Sequence, residues 1–173
     1  MKILVSGASF SYGPKSWPEL LRADVTNLSR MSAGNTYIVD TTVDELSKNL
    51  YNLVIIMWSP FDRVDIRNGD DWIFEAESTA TIWEHYESNL MRILGLQEFL
   101  KQRKQNYLFT FARPLKVFAK YQELYNQLEN VYPECLQTIV KENKWYAEDG
   151  VHPNAEAHQY YASKLNEYLE RTK

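Results

Sequence analysis

The run Leu53-Val54-Ile55-Ile56-Met57-Trp58 holds six apolar residues without a polar interruption and is stopped by Ser59-Pro60. An amphipathic helix would break such a run at a period of 3.6, and a strand with one wet face at a period of two. A run with neither break reads as a strand buried on both faces, so the fold must supply a packing layer above it and another below. Ile3-Leu4-Val5, ending at Gly7, repeats the pattern on a smaller scale. Tyr107 to Phe111 repeats it again, stopped by Arg113-Pro114, and Asp24 to Leu28 is a weaker fourth. Helical periodicity fills the intervals: a helix opening at Ser16-Trp17-Pro18 with Ser16 as N-cap, then Asn35 to Leu50, Ser78 to Lys104 with Gly95 as its weak point, Leu115 to Asn130, and Pro153 to Arg171. Strands alternating with helices predict a three-layer α/β/α sandwich around a central parallel sheet, of flavodoxin-like type, with ligands bound at the carboxyl ends of the strands.

At 173 residues the chain has the length of one domain, and we take 1–173 as a single unit. Hydrophobic residues make up 45% and charged residues 24%, and no stretch approaches the ~20 apolar residues of a membrane span. The net charge of -4 is spread among scattered Lys, Arg, Asp and Glu, which leaves no basic stripe for a nucleic acid. Cys135 is the lone cysteine and cannot form an internal disulfide. The three histidines, His85, His152 and His158, stand in no metal-finger spacing, so neither metal nor cofactor is expected. The N-terminus lacks the 7 to 15 apolar residues of a signal-peptide core, which favours a cytoplasmic location.

Gly7-Ala8-Ser9-Phe10-Ser11-Tyr12-Gly13 follows the first strand directly, so Ser9 lies at the carboxyl edge of the sheet, where backbone N–H groups can meet an oxyanion. A glycine-flanked serine there also suits a plain turn or a phosphate cradle. A dinucleotide-binding reading needs a third glycine where this chain has Phe10, and that ring obstructs approach of a pyrophosphate. Tyr160 and Lys164 make a Y-x-x-x-K pair, but helix packing explains it better. Near the other end, Asp149-Gly150-Val151-His152-Pro153 sets a carboxylate and an imidazole three apart across a glycine. That arrangement gives a general base an orienting acid, although Asp149 capping a turn beside an exposed His152 fits equally well.

Taken together, Gly7-Ala8-Ser9-Phe10-Ser11 and Asp149-Gly150-Val151-His152-Pro153 resemble the SGNH or GDSL hydrolases, with their Gly-Asp-Ser-x-Ser and D-x-x-H-P blocks. The form GxSFxxG followed by SWPxxL is similar to a divergent branch found in bacteriophage and bacterial proteins. The resemblance implies Ser9 as nucleophile, His152 as base and Asp149 as orienting acid, with backbone N–H groups of Ser9 and Gly34 as oxyanion donors. The serine comes too early for an α/β-hydrolase, whose nucleophile follows a strand deep in the sheet.

Two positions depart from the family pattern: Ala8 replaces an aspartate, and Ser59-Pro60-Phe61-Asp62 replaces Gly-x-Asn-Asp, with Phe61 where an oxyanion-donating asparagine is expected. Loss of one such donor typically costs about 10²–10³ in turnover. Ser59, Asn35 and Arg63 are the substitutes within reach, Ser59 first. Phe10, Trp58 and Arg63 are candidate substrate contacts, whereas Trp17 and Trp72 are expected in the core. His85 and His158 are read as lying outside the site, His158 facing away from His152. The acidic run Asp62, Asp65, Asp70 and Asp71 is read as a solvated loop. The implied activity is hydrolysis of a short acyl ester, on a small molecule or an O-acetylated carbohydrate, with acyl transfer as a variant. The alternative is a non-catalytic module of the same fold that recognises a glycan or a protein.

Overall fold

The computed structural model describes residues 1–61, 63–69, 71–75, 82–115 and 117–171. Among the described residues six strands, β1 (Lys2–Ser6), β2 (Asp24–Asn27), β3 (Leu53–Trp58), β4 (Val64–Asn68), β5 (Asp71–Glu75) and β6 (Tyr107–Phe111), form two sheets. Four of them make a parallel sheet in the order β2-β1-β3-β6, and β4 and β5 pair as an antiparallel hairpin. The α-helices are α1 (Asn35–Lys48), α2 (Ile82–Gln102), the single-turn α3 (Gln122–Tyr125), α4 (Leu136–Asn143) and α5 (Ala155–Arg171).

Every residue of β3 is buried, and its side chains alternate between two separate cores. Ile55 and Met57 join Ile3, Val5 and Leu108 beneath α4, α5 and Trp17. Val54, Ile56 and Trp58 join Leu4, Phe109 and Phe111 beneath α1 and α2, against Ile38, Leu46, Leu90 and Leu100. This is the α/β/α sandwich that the uninterrupted apolar runs demand, because a strand with two dry faces requires a layer on each.

The chain passes from β1 to β2 on one side and to β3 on the other. The order therefore reverses at β1, and the crevice of such a sheet opens above that point. The register ends Ser6 level with Ile56, while Met57 and Trp58 continue level with Thr110 and Phe111. Three loops accordingly meet at one edge: 7–13 after β1, the one that opens at Ser59 after β3, and 112–115 after β6.

Buried amides fasten that edge. Asn35 Nδ2 donates to the Ser59 carbonyl at 3.1 Å and to Asn89 Oδ1 at 2.7 Å, while Ser59 N–H donates to Asn35 Oδ1 at 2.9 Å. Asn89 Nδ2 in turn donates to the carbonyls of Phe61 and His85 at 3.2 and 2.6 Å. Two asparagines thus tie α1, α2 and the end of β3 together, each pair of amide hydrogens fully used inside a dry region.

Four expectations are corrected. Residues 16–20 form only a 3-10 turn, Trp17–Leu20, ended by the extended backbone of Leu21, whose N–H closes the turn on the Pro18 carbonyl. Residues 115–130 do not form one helix: a 3-10 turn at Ala119–Tyr121 runs into α3. There the rings of Phe118 and Tyr121 pack on Tyr86 of α2 at 5.1 and 5.0 Å, and the chain then returns to place Val131 in a parallel bridge with Phe109. Packing of those aromatics outweighs a helical period that is only a weak local preference. The expected solvated loop is the β4–β5 hairpin, and Asp65 within it is buried. Asp62 and Asp70 of the acidic run, and the expected helix start at Ser78, lie outside the described residues. Trp72, expected in the core, is half-buried on the hairpin against Tyr37, ring centroids 5.4 Å apart. Helix α4, between Leu136 and Asn143, was not anticipated at all.

His158 is also placed otherwise than expected. It sits in the first turn of α5 with Nδ1 accepting the Trp17 N–H at 3.3 Å, near enough to His152 to feel its charge. Burial first, and that charge second, hold its imidazole down at about 4.

Two stability predictions arise from these contacts. Asn89→Ala strands an amide hydrogen of Asn35 and should cost about 1–3 kcal/mol in urea denaturation; Asn35→Ala should cost a similar amount, and the double variant less than the sum. Additive losses would mean the amides are not one network. The second concerns acid. An unfolded imidazole titrates near ~6.5, above the folded value, so the unfolded chain takes up this proton first. The contribution of His158 is fully present above that pH and is lost as pH falls toward 4. The melting temperature of His158→Gln should therefore decline less than that of the parent across this window.

Candidate active site

Ser9 occupies a 3-10 turn, Ser9–Ser11, immediately beyond β1. Its position is fixed by Ser11. The Ser11 carbonyl accepts Asn27 Nδ2 at 2.8 Å, and its hydroxyl lies 3.2 Å from both Met57 Sδ and Trp17 Nε1. A Cβ on Gly7 would come within 2.7 Å of that hydroxyl, so only glycine lets the chain turn this tightly. Ser9 is nearly buried, and neither its Oγ nor its backbone N–H has a hydrogen-bond partner among the described residues.

Asp149 and His152 sit on a loop closed by the Tyr146–Pro153 bridge and by Ala147 N–H donating to the His152 carbonyl at 2.8 Å. Gly150 has a positive φ of 68°, which the tight turn between the two residues requires. Asp149 Oδ1 accepts the N–H groups of Val151 and His152, each at 2.9 Å, and Oδ2 faces His152 Nδ1 at 2.5 Å. Those two backbone donors, His152 first, together with the imidazole hold the carboxylate down at about 2. A carboxylate at Nδ1 places the proton there and leaves Nε2 as the basic nitrogen. Asn154 accepts the Ala157 N–H at 3.0 Å and starts α5, which anchors the loop at its far end.

The two motifs, 140 residues apart in sequence, come together here: Phe10, next to Ser9, packs edge-on against the His152 ring with centroids 5.7 Å apart. Ser9 and His152 share no hydrogen bond in this structure.

The remaining candidates are distributed differently. Gly34 N–H, expected to serve an oxyanion, donates to Asp65 Oδ1 at 2.5 Å, and Asp65 Oδ2 accepts the Tyr37 N–H at 2.9 Å. The hairpin thus supplies a carboxylate that caps the N-terminus of α1, an arrangement favoured by the helix dipole. Burial raises the Asp65 pKa, opposed by those same donors and by Arg63. A Cβ at Gly34 would lie 2.6 Å from this carboxylate, which explains the glycine.

Asn35 and Ser59, expected as side-chain donors, are committed elsewhere: Asn35 to the amide network and Ser59 Oγ to the Ala33 carbonyl at 2.8 Å. Trp58, expected as a substrate contact, is wholly buried against Phe109, centroids 5.3 Å apart. Phe61, in place of the asparagine, packs on Tyr86 at 5.0 Å. Phe10 and Arg63 do line a cavity with Ser9, and they are joined there by Arg113, which sequence reasoning passed over as a strand terminator.

That cavity measures about 10 Å³. A wider one of about 540 Å³ lies between the loop after β6 and α4, lined by Phe111, Leu115, Tyr125, Tyr132, Cys135 and Tyr160. Size favours the second and chemistry the first. The wider cavity contains no paired nucleophile and base; its Cys135 thiol donates to the Ala112 carbonyl at 3.3 Å and is pushed up by burial, away from the reactive thiolate. Among the described residues no cluster of three His, Cys, Asp or Glu side chains is placed to hold a metal ion, and no helix is long and apolar enough to cross a membrane.

No protein-family model and no curated protein matches the chain. Solved structures do. A GDSL-like lipase from Bacteroides thetaiotaomicron superposes with a TM-score of 0.59 at 14% identity, over 99% of this chain and 89% of the lipase. A psychrotrophic esterase from a Pseudoalteromonas species, its structure inhibited by monoethylphosphonate, superposes with a TM-score of 0.65 at 13% identity, over 98% of this chain and 97% of the esterase. Over nearly its whole length, then, the chain has the fold of the GDSL-type lipases and esterases.

Proposed function

We propose that the protein is a serine ester hydrolase. The observation that carries this reading is the Asp149–His152 pair, its imidazole tautomer set at 2.5 Å, packed through Phe10 against the turn that bears Ser9. In this reading Ser9 Oγ attacks the acyl carbon while His152 Nε2 takes its proton; His152 then protonates the departing alkoxide, and water repeats the sequence to release the acid. Asp149 stabilises the imidazolium and does not itself take up the proton. The missing Ser9–His152 bond agrees with a site that tightens only around substrate, since catalytic hydrogen bonds are often long without ligand. The free backbone N–H of Ser9 serves the oxyanion. A short acyl group suits the cramped space beside Ser9, and the 540 Å³ cavity beyond the loop after β6 offers room for a sugar or other alcohol portion.

The competing reading is a recognition module of the same fold, favoured by the absent Ser9–His152 bond and by the Gly34 N–H held by Asp65.

An alkyl fluorophosphonate separates the two. Under the hydrolase reading it labels Ser9, and Ser9→Ala abolishes the label. On p-nitrophenyl acetate, Ser9→Ala and His152→Ala should each lower turnover by about 10³-fold or more, and the double variant little further, because such residues act as a unit. Asp149→Asn should retain more activity than His152→Ala. An unlabelled protein that leaves p-nitrophenyl esters and acetylated sugars intact would be a recognition module.

A further inference from the structure

We infer that the guanidinium of Arg113 completes the oxyanion site, in place of the asparagine amide that stands there in the family pattern. The inference rests on Ser9 being the nucleophile. When Ser9 Oγ bonds to the acyl carbon, the carbonyl π pair moves onto oxygen and the Ser9 proton passes to His152. The negative oxygen then needs donors already in place, because these act only on charge that develops in the transition state.

A count of the available donors leaves few. The Ser9 N–H is free, but the Gly34 N–H belongs to Asp65. Both amide hydrogens of Asn35 go to Ser59 and Asn89, the Ser59 hydroxyl goes to Ala33, and the Asn27 amide reaches the Ser11 carbonyl. Recruiting any of them would strand a buried polar partner.

Two cations line the Ser9 cavity, Arg63 and Arg113. The charge of Arg63 is felt by the Asp65 carboxylate, which opposes it. Arg113 forms no ion pair and donates no hydrogen bond among the described residues. Its backbone is nevertheless fixed from both sides. Ala112 N–H donates to the Trp58 carbonyl at 3.1 Å, the Ala112 carbonyl accepts Gln137 N–H at 3.1 Å, and Pro114 restricts the backbone of Arg113 before it. Arg113, without an ion pair and on an anchored backbone, lines the cavity of Ser9 and brings an uncompensated positive charge to the place where negative charge develops. The cavity is small, about 10 Å³, on the scale of the single oxygen that gains charge when Ser9 attacks.

The test is a split between kcat and KM on p-nitrophenyl acetate. Arg113→Gln should lower kcat by about 10²–10³-fold with KM changed less than about threefold. The rate of Ser9 labelling by a fluorophosphonate, whose phosphonyl oxygen occupies the same site, should fall alongside it. Arg113→Lys should keep more of kcat than Arg113→Gln, and methylguanidinium should restore turnover of Arg113→Gly in a saturable manner. Circular dichroism establishes that the variants are folded, and the Lys variant, which keeps a cation at the position, carries the comparison if Gln disturbs the loop. A kcat within about threefold of the parent in Arg113→Gln, or a loss confined to KM, overturns the inference while leaving a Ser9-dependent parent esterase intact. A parent that neither cleaves ester nor takes the label overturns the hydrolase reading and this inference together.

Discussion

Burial of β3 on both faces is the constraint on which the molecule is organised. Its six side chains alternate between two cores that do not share residues, so each must be closed by its own helices. Satisfying both from one chain places β1 and β6 on either side of β3 and turns the order at β1. The crevice that results is a by-product of packing: three strands of one parallel sheet end at the same edge, and their outgoing loops carry Ser9, Arg63 and Arg113 into one small cavity.

A dry strand also leaves polar groups at its end that water cannot reach. Asn35 and Asn89 satisfy those of Ser59 and Phe61. Amides that would be chemically suited to an oxyanion are thereby consumed in holding the edge together. The same trade appears at Gly34, whose N–H meets the Asp65 carboxylate. An anion occupies that donor permanently, which caps α1 and fastens the β4–β5 hairpin over it. With these donors spent on architecture, the proposed oxyanion site is left to the Ser9 N–H and a charged side chain on the neighbouring loop.

The loop that carries Asp149 and His152 solves a different problem. Both residues are partly exposed, and apart from the His152 ring against Phe10 their geometry comes from local bonds: two backbone donors and one imidazole on a single carboxylate, across a glycine at positive φ. This is why the pair was readable from five consecutive residues, while Arg113, whose neighbours are distant in sequence, was not.

The continuous apolar runs pointed by themselves to the parallel sheet and its two covering layers, because an uninterrupted apolar run that is too short for a buried helix fits a strand dry on both faces. The glycine-bounded turn at Ser9 and the Asp149–His152 pair were likewise local, set by backbone conformations and hydrogen bonds spanning a few residues. Tertiary structure alone decided the rest. Phe118 and Tyr121 packing on Tyr86 broke a helical period, Asp65 was drawn from an acidic stretch into a buried cap, Asn35 and Ser59 were taken into a structural network, and Arg113 was set beside Ser9. Each of these depends on which distant polar group or ring a side chain meets once the sheet has formed, and hydrogen bonds and packing between remote segments leave no periodic mark on the chain.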